Sequence, residues 1–445
     1  MKEEVKLRQT LTLFQVVFLG LAWMTPMIYF TVYGIAYDTS RGMLTVAYLI
    51  AVIAIFFTAR SYGVMARTYP ASGSAYTYAG KSLHPYVGFL VGWALLLDYL
   101  FSPIIACLTF GIYLHAQFPS VPTFVWIVLL NAALAVVNII GINFSAIISK
   151  LFVLLQLTFI AVFCFFLIKG LAGAEAIHPL QPFVHAGIPF STILAGASII
   201  CFSFLGFDTI TTMAEETVDA RRTIPRAILI IIIAAGVMYL IPSYLTQLAY
   251  PQLSFVNLDS AGFELVRMVG GAGLSALFIT ILILAIFTQG LTSITSVSRL
   301  LYVMGRDSIL PKRIFGYLHP RFKTPTRNII ITSVISLLAL TISLDAAVKF
   351  VSFGALTAFV FVNLSVIAKR YLKDNQRSLK QTLLYLVSPL LGAGFIIYLL
   401  FQLDRNALLA GSLWMLLGIV YHLYRTRTSQ AAGERLKPRP AETQI

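Results

Sequence analysis

Twelve stretches of about twenty predominantly apolar residues follow one another along this chain, each long enough for an α-helix to cross the hydrocarbon core of a bilayer. They fall at residues 12–37, 43–66, 84–116, 121–141, 147–170, 189–214, 227–249, 272–298, 328–344, 348–368, 381–403 and 406–424, and are numbered below as spans 1 to 12. Lipid offers the backbone no hydrogen-bond partner, so segments of this kind are helical. The fold class that follows is an all-α polytopic membrane protein with twelve transmembrane helices. Composition agrees, since 59% of the 445 residues are hydrophobic and 11% are charged, a balance far from that of soluble globular domains.

A net charge of +15 invites a nucleic-acid reading, and the placement of the 32 Lys and Arg decides against it. With the N-terminus cytoplasmic, 27 lie on the cytoplasmic side and five (Arg41, Lys169, Arg267, Lys349 and Arg405) on the other. This is the positive-inside asymmetry, and it predicts both termini on the cytoplasmic side of the plasma membrane. No loop is long enough to build the basic face that nucleic-acid binding needs. Span 1 is too long for the core of a signal peptide and lacks a small-residue cleavage site, so it is expected to remain. Cys107, Cys164 and Cys201 all lie inside apolar spans, which argues against disulfide stapling. The six His show no metal-ligand spacing. No nucleophile stands beside a base at reactive spacing, so neither an enzyme nor a cofactor or metal centre is expected.

Span 6 carries the costliest residue in the chain. Its centre reads Cys201-Phe202-Ser203-Phe204-Leu205-Gly206-Phe207-Asp208, and a carboxylate at that depth costs about 2.5–3.5 kcal/mol even on lenient insertion scales, so it is normally kept for a pathway or a partner. Gly206 weakens the helix just before it. Span 1 carries Met24-Thr25-Pro26-Met27 at its midpoint, where Pro26 removes a backbone donor and crowds the preceding turn. Broken helices five spans apart point to two inverted repeats of five with a substrate site between them. The expected organisation is one transporter domain over 1–425, with repeat one at about 12–170, repeat two at about 189–368, helices 11 and 12 at about 381–424 outside the repeat, and a disordered cytoplasmic tail at 426–445.

Four segments resemble the amino acid-polyamine-organocation (APC) superfamily of permeases, over residues 5–425. Tyr69-Pro70-Ala71-Ser72-Gly73-Ser74-Ala75-Tyr76 is similar to its cytoplasmic Pro-x-x-Gly-x-x-Tyr signature, and Phe202 to Asp208 to its unwound sixth helix. That segment runs on into Glu215-Glu216-Thr217 and Arg222-Thr223-Ile224-Pro225-Arg226, a characteristic loop. Ser298-Arg299-Leu300 through Gly305-Arg306-Asp307 and Leu310-Pro311 is similar to the family's connection between helices 8 and 9. Within the superfamily the likeness is greatest to bacterial putrescine importers, through Gly92-Trp93 with Leu97-Asp98-Tyr99-Leu100-Phe101, Ser203-Phe204-Leu205-Gly206-Phe207-Asp208 and Tyr302-Val303-Met304-Gly305-Arg306-Asp307. The resemblance implies a proton-coupled or exchange transporter that works by alternating access.

Amino acid permeases of the superfamily hold the substrate carboxylate at a Gly-rich break in helix 1, whose free amides favour an anion. Here that place reads Met24-Thr25-Pro26, which lacks glycine and one N–H. Asp208 at the second break would repel a carboxylate, and Asp98 in span 3 adds a second buried acid. Two such acids and a diamine of charge +2 neutralise one another, as a low dielectric demands. The expected substrate-binding residues are Met24, Thr25, Pro26, Asp98, Phe202, Ser203, Leu205, Gly206 and Asp208. Trp23, Tyr29, Trp93, Phe202 and Phe207 are candidates for cation–π contacts of about 0.5–2 kcal/mol each.

Alternatives stay open for several of these residues. Asp208 is a counter-ion for substrate, a proton carrier, or both, because apolar burial favours a protonated carboxyl and an arriving cation favours the ionised one. It can also be a neutral fastener bonded to backbone, and Asp98 can fasten span 3 to span 10. Phe202 lies on the outer side of the break, where the family places an external gate, while Glu215 and Glu216 beside Arg221, Arg222 and Arg226 read as an inner salt-bridge gate. The polar run Thr288-Gln289, Thr292-Ser293 and Thr295-Ser296 in span 8 is where related folds hold sodium, though hydroxyls also fasten helices together in membranes. Some proton-coupled relatives carry a lysine in span 5 that takes the place of a sodium ion; this chain has Gln156 there, a departure that tells against that particular coupling device. The function expected is import of a small cationic amine, putrescine first, coupled to protons rather than sodium. The alternative is an amino acid permease for cationic or neutral substrates, working as symporter or exchanger.

Overall fold

A computed structural model of the chain describes residues 9–172, 178–184, 187–256, 258, 261–403 and 405–431; expectations placed on residues 1–8 and 432–445 lie outside them. Among the described residues the secondary structure is helical, apart from one isolated parallel bridge between Leu11 and Thr217. Span 1 is a pair, α1 (Leu13–Met24) and α2 (Ile28–Thr39), bent by 44°. Span 2 is α3 (Leu44–Thr68), and a short α4 (Ser74–Ser82) leads into α5 (Pro85–Gln117), span 3. Spans 4 and 5 are α6 (Thr123–Ile140) and α7 (Ile142–Leu171). Span 6 is α8 (Phe190–Cys201) followed by two 3-10 segments, Phe202–Phe204 and Thr209–Glu216.

Spans 7 and 8 are α9 (Ala220–Ala249) and α10 (Ala261–Arg306). Gly271, at φ 67° and ψ −161°, breaks α10 in a region that side chains disfavour, so residues 261–270 form an arm preceding the long helix. After α11 (Lys312–Phe315), span 9 is α12 (Thr326–Ser336) with a 3-10 extension to Leu340. Span 10 is α13 (Leu344–Val366), prolonged as a π-helix to Lys373. Span 11 comprises α14 (Leu379–Thr382), a π-turn at Leu383–Val387 and α15 (Ser388–Phe401). Span 12 is α16 (Arg405–Ala431), which carries the helix past residue 425. Ten of these helices are long and apolar enough to cross a membrane, and the bent α1–α2 pair makes an eleventh. The helix over span 9, Thr326–Leu340, is shorter than a crossing.

The packing pattern has a fivefold offset in span number. The α5–α13 pair (spans 3 and 10) maps onto α10–α7 (spans 8 and 5), α1–α9 onto α8–α3, and α3–α9 onto itself. An offset of five crossings reverses the direction of travel, so repeats related by it are inverted. α15 and α16 pack outside this set, against α13, α3 and α5. The proximal face is the one where α1 begins: Leu11 pairs with Thr217, and Arg370 reaches Thr68 at 2.9 Å. On the distal face Gln247, at the end of α9, bonds Thr45 and Gly42 at the start of α3.

Candidate substrate site

α1 stops at Met24 because Thr25 adopts φ 53° and ψ 98°, a rare conformation for a β-branched residue, and Pro26 follows it. The amides of Thr25 and Ile28 are bonded to the carbonyls of Leu21 and Thr25, both at 2.9 Å. With Pro26 lacking an N–H, three of the break's amide positions offer nothing to an anion. In span 6 the chain leaves helical geometry at Leu205 (ψ 139°) and Gly206 (φ 108°), and resumes at Asp208. Gly206 is required twice there: its φ suits glycine, and a Cβ would overlap the Trp23 indole. The two breaks therefore lie against each other.

Between them a cavity of about 830 Å³ opens toward the distal face. Its walls come from the distal halves of the helices, with Thr31 and Ile35 of α2, Ile105 and Ile112 of α5, and Leu282 and Ile286 of α10 among them. Of the predicted binding residues, Met24, Thr25, Asp98, Phe202 and Leu205 line it, while Pro26, Ser203, Gly206 and Asp208 are not among its lining residues. Trp23 and Phe202 are the predicted aromatics on the wall. Tyr29 instead packs against Phe30, Tyr33 and Tyr48, and Phe207 against Tyr62 and Phe359.

The two acids occupy different settings. Asp98 is 1% exposed; its Oδ1 accepts from Ser102 Oγ at 3.4 Å, and its Oδ2 has no hydrogen-bond partner among the described residues. Against it packs α13, where a Cβ at Gly354 would collide with the Ala94 carbonyl and the Asp98 amide, so the backbones of α5 and α13 meet closely here. Asp208 is fully buried one layer further in. Its Oδ2 accepts from Tyr99 Oη at 2.9 Å and its Oδ1 is unpartnered. Tyr99, one more aromatic in an apolar span by sequence alone, also meets Trp23 edge-on at 5.4 Å. One tyrosine thus joins the cavity wall to the hidden carboxylate.

The amino acid permease family matches over residues 15–407. The chain belongs to that family. It is 41% identical to the low-affinity putrescine importer PlaP of Escherichia coli, over 94% of this chain and 93% of that one. It is 26% identical to the branched-chain amino acid permease BcaP of Bacillus subtilis, over 96% and 95% of the two chains. It is 29% identical to the mouse cationic amino acid transporter 4, over 84% of this chain and 62% of the other. The family and these relatives are transporters, and so is this permease, carried in the membrane by its apolar helices.

On its proximal side the permease is closed by polar contacts. Glu216 accepts from Arg299 in a bidentate pair, 2.5 Å from Nε and 3.2 Å from Nη2, with both side chains at most 3% exposed. Glu215 pairs with Arg306 at 2.6 and 3.0 Å and exchanges hydrogen bonds with Ser72, accepting from its amide and donating its own to Oγ. These partners correct the expectation that Arg221, Arg222 and Arg226 hold the two glutamates: Arg222 pairs with Asp219 on the exposed surface, 3.8 Å away. The acids at the end of span 6 face the end of α10, 83 and 91 residues further along the chain, rather than the start of α9 that follows them in sequence. Tyr76 donates to Asp307 at 3.1 Å; burial, with Asp307 beside it, raises its phenol well above the usual range, so it remains a donor. Backbone bonds from Thr10 and Leu11 to the Glu216 carbonyl, both 2.9 Å, and from Val218 to Leu11, 3.0 Å, strap the chain leading into α1 to the end of span 6.

The polar run on α10 divides between neighbours. Thr295 donates to Asn138 of α6 at 2.5 Å, Gln156 of α7 donates to Thr288 at 3.4 Å, and Gln289 faces the cavity. Trp93 lies outside the site. It stacks on Trp414 of α16 with centroids 4.9 Å apart, and each indole N–H donates to the other residue's carbonyl, at 2.9 and 2.7 Å. Its place is to dock α16 on α5, a demand that an indole with an apolar body and a polar edge suits well.

Proposed function

We propose that the permease imports a small cationic amine, putrescine first, by alternating access coupled to protons. Asp98 and Asp208 are the counter-charges for the substrate, and Asp208 is also the proton carrier. The observation that carries the reading is the pair of buried carboxylates, Asp98 on α5 and Asp208 at the second break, each with an unpartnered oxygen, near a first break where the Thr25 and Ile28 amides are already bonded and Pro26 has none. That environment attracts ammonium and offers a substrate carboxylate no cationic partner on the cavity wall. None of the described residues lining the cavity is Lys or Arg, and a 41% identical relative is a putrescine importer.

The remaining parts of the reading follow from the same frame. With the basic proximal face in the cytoplasm, the open cavity looks outward and Phe202 stands on its wall as the outer gate. The Glu215–Arg306 and Glu216–Arg299 pairs form the inner gate and exchange their partners for water when that side opens. Met24, Thr25 and Leu205 supply wall and carbonyl contacts, while Pro26, Ser203 and Gly206 shape the breaks. An amino acid permease is the second reading, favoured by the branched-chain and cationic amino acid relatives at 26% and 29% identity.

Uptake of labelled putrescine into proteoliposomes, with and without an imposed pH gradient and with amino acid competitors, separates these. Putrescine should displace its own label far better than lysine, ornithine or leucine does. Better displacement by an amino acid sinks the amine reading, and uptake indifferent to the pH gradient sinks the proton coupling.

A further inference from the structure

The cavity and the pair of carboxylates do not match one for one. A diamine carries two charges, yet among the described lining residues Asp98 is the one charged side chain. Asp208 lies behind Tyr99, whose hydroxyl already occupies one of its oxygens. Tyr99 in turn is backed by Trp23, which seals the contact between the two breaks. Around Asp98 the wall is mostly aliphatic, with Ile105, Leu282, Ile286, Val348, Val351 and Leu356. An ammonium near Asp98 Oδ2 would satisfy that buried, unpartnered atom, and an unbranched or aromatic tail would then bury apolar surface against the wall.

From this, resting on the amine reading above, we infer that the open cavity is also a binding site for monoamines with apolar tails, such as n-hexylamine or 2-phenylethylamine, and that they stop there. Their one charge, present at neutral pH as on a lysine side chain, is met by Asp98. A diamine's second ammonium has no carboxylate in the cavity until Trp23 and Tyr99 shift and uncover Asp208. Engaging Asp208 is then the step that only a second charge drives, because a ligand shifts a conformational equilibrium only by its differential affinity for the two states. Monoamines therefore act as competitive blockers that are bound from outside and left untransported.

The test uses the full-length permease in lipid nanodiscs and proteoliposomes. Calorimetric titration should show n-hexylamine binding and 1-hexanol, its neutral counterpart, binding at least tenfold more weakly. Asp98→Asn should weaken n-hexylamine at least tenfold, whereas Asp208→Asn should leave it within about threefold. In proteoliposomes 2-phenylethylamine should inhibit putrescine uptake competitively, and labelled 2-phenylethylamine should not accumulate. Equal binding of hexanol and hexylamine, or accumulation of the labelled monoamine at a rate near that of putrescine, overturns the inference; the hexanol comparison needs no variant and so stands even if Asp98→Asn fails to fold. Monoamine binding through Asp98 without any putrescine uptake would instead sink the putrescine-import reading and leave this site intact.

Discussion

The distal and proximal halves of the bundle are closed to different degrees and by different chemistry. Distally, aliphatic walls surround a cavity of about 830 Å³ with Asp98 at its base. Proximally, the same helices are drawn together by two carboxylate–guanidinium pairs, a serine–glutamate exchange and a backbone strap. In the proposed alternating-access cycle, directional polar contacts suit a seal that has to open, because each group can trade its partner for water at a modest net cost. Apolar walls suit a vestibule that closes by contact and needs no specific register. What separates the two halves is the layer of Trp23, Gly206, Tyr99 and Asp208, where both helices are broken.

The largest effect should come from that dividing layer. Asp208→Asn is expected to abolish putrescine uptake, by two orders of magnitude or more, while the protein still inserts in the membrane and runs as a single species on size exclusion; normal uptake by this variant would remove the carboxylate from the mechanism. Gly206→Ala comes next, since the new methyl meets both an unfavourable φ and the Trp23 ring. Uptake should fall more than tenfold and the thermal unfolding midpoint should drop, and an unchanged midpoint would show that the contact between the breaks is loose.

Smaller effects should distinguish the proximal contacts from one another. Glu216→Gln leaves Arg299 buried without its counter-charge, which typically costs about 3–5 kcal/mol. A cysteine placed near the proximal end of α10 should then react faster with a thiol reagent applied from that side; unaltered reactivity would mean that this pair does not hold the seal. Tyr99→Phe removes the donor to Asp208 but keeps the ring against Trp23, so uptake should fall three- to tenfold with a changed pH profile, and a purely structural tyrosine would leave the profile in place. Glu215→Gln should matter least, at twofold or so in uptake, because the Glu215–Arg306 pair is 23% and 35% exposed and pairs of that kind contribute about 0.2–1 kcal/mol.

Much of this architecture was legible along the chain. Apolar length located the helices, Pro26 and Gly206 marked the two breaks, and depth singled out Asp208, which lies beside the second break but not on the cavity wall. Span 9 was harder to read, since its apolar residues continue beyond the point where α12 tightens into a 3-10 turn at Leu337. The Glu216–Arg299 pairing left a fainter trace: each residue stands at the end of an apolar span, where a buried charge needs a partner. Choosing between Arg299 and the nearer Arg222 required the fold.

The same limit applies to the aromatic and acidic residues. Trp93 and Trp23 look alike in sequence, each in an apolar helix, yet one fastens α16 and the other lines the cavity. A helix that is apolar all round carries no stripe to tell which face meets a neighbour, a ligand or lipid. The sequence by itself therefore determined a helical membrane transporter with two broken helices and two costly acids, because hydropathy, proline, glycine and buried charge act locally. Only the tertiary structure decided that Asp98 faces the cavity, that Asp208 waits behind Tyr99, and that the glutamates close on α10, because helix rotation and pairing over long sequence separations are set by packing.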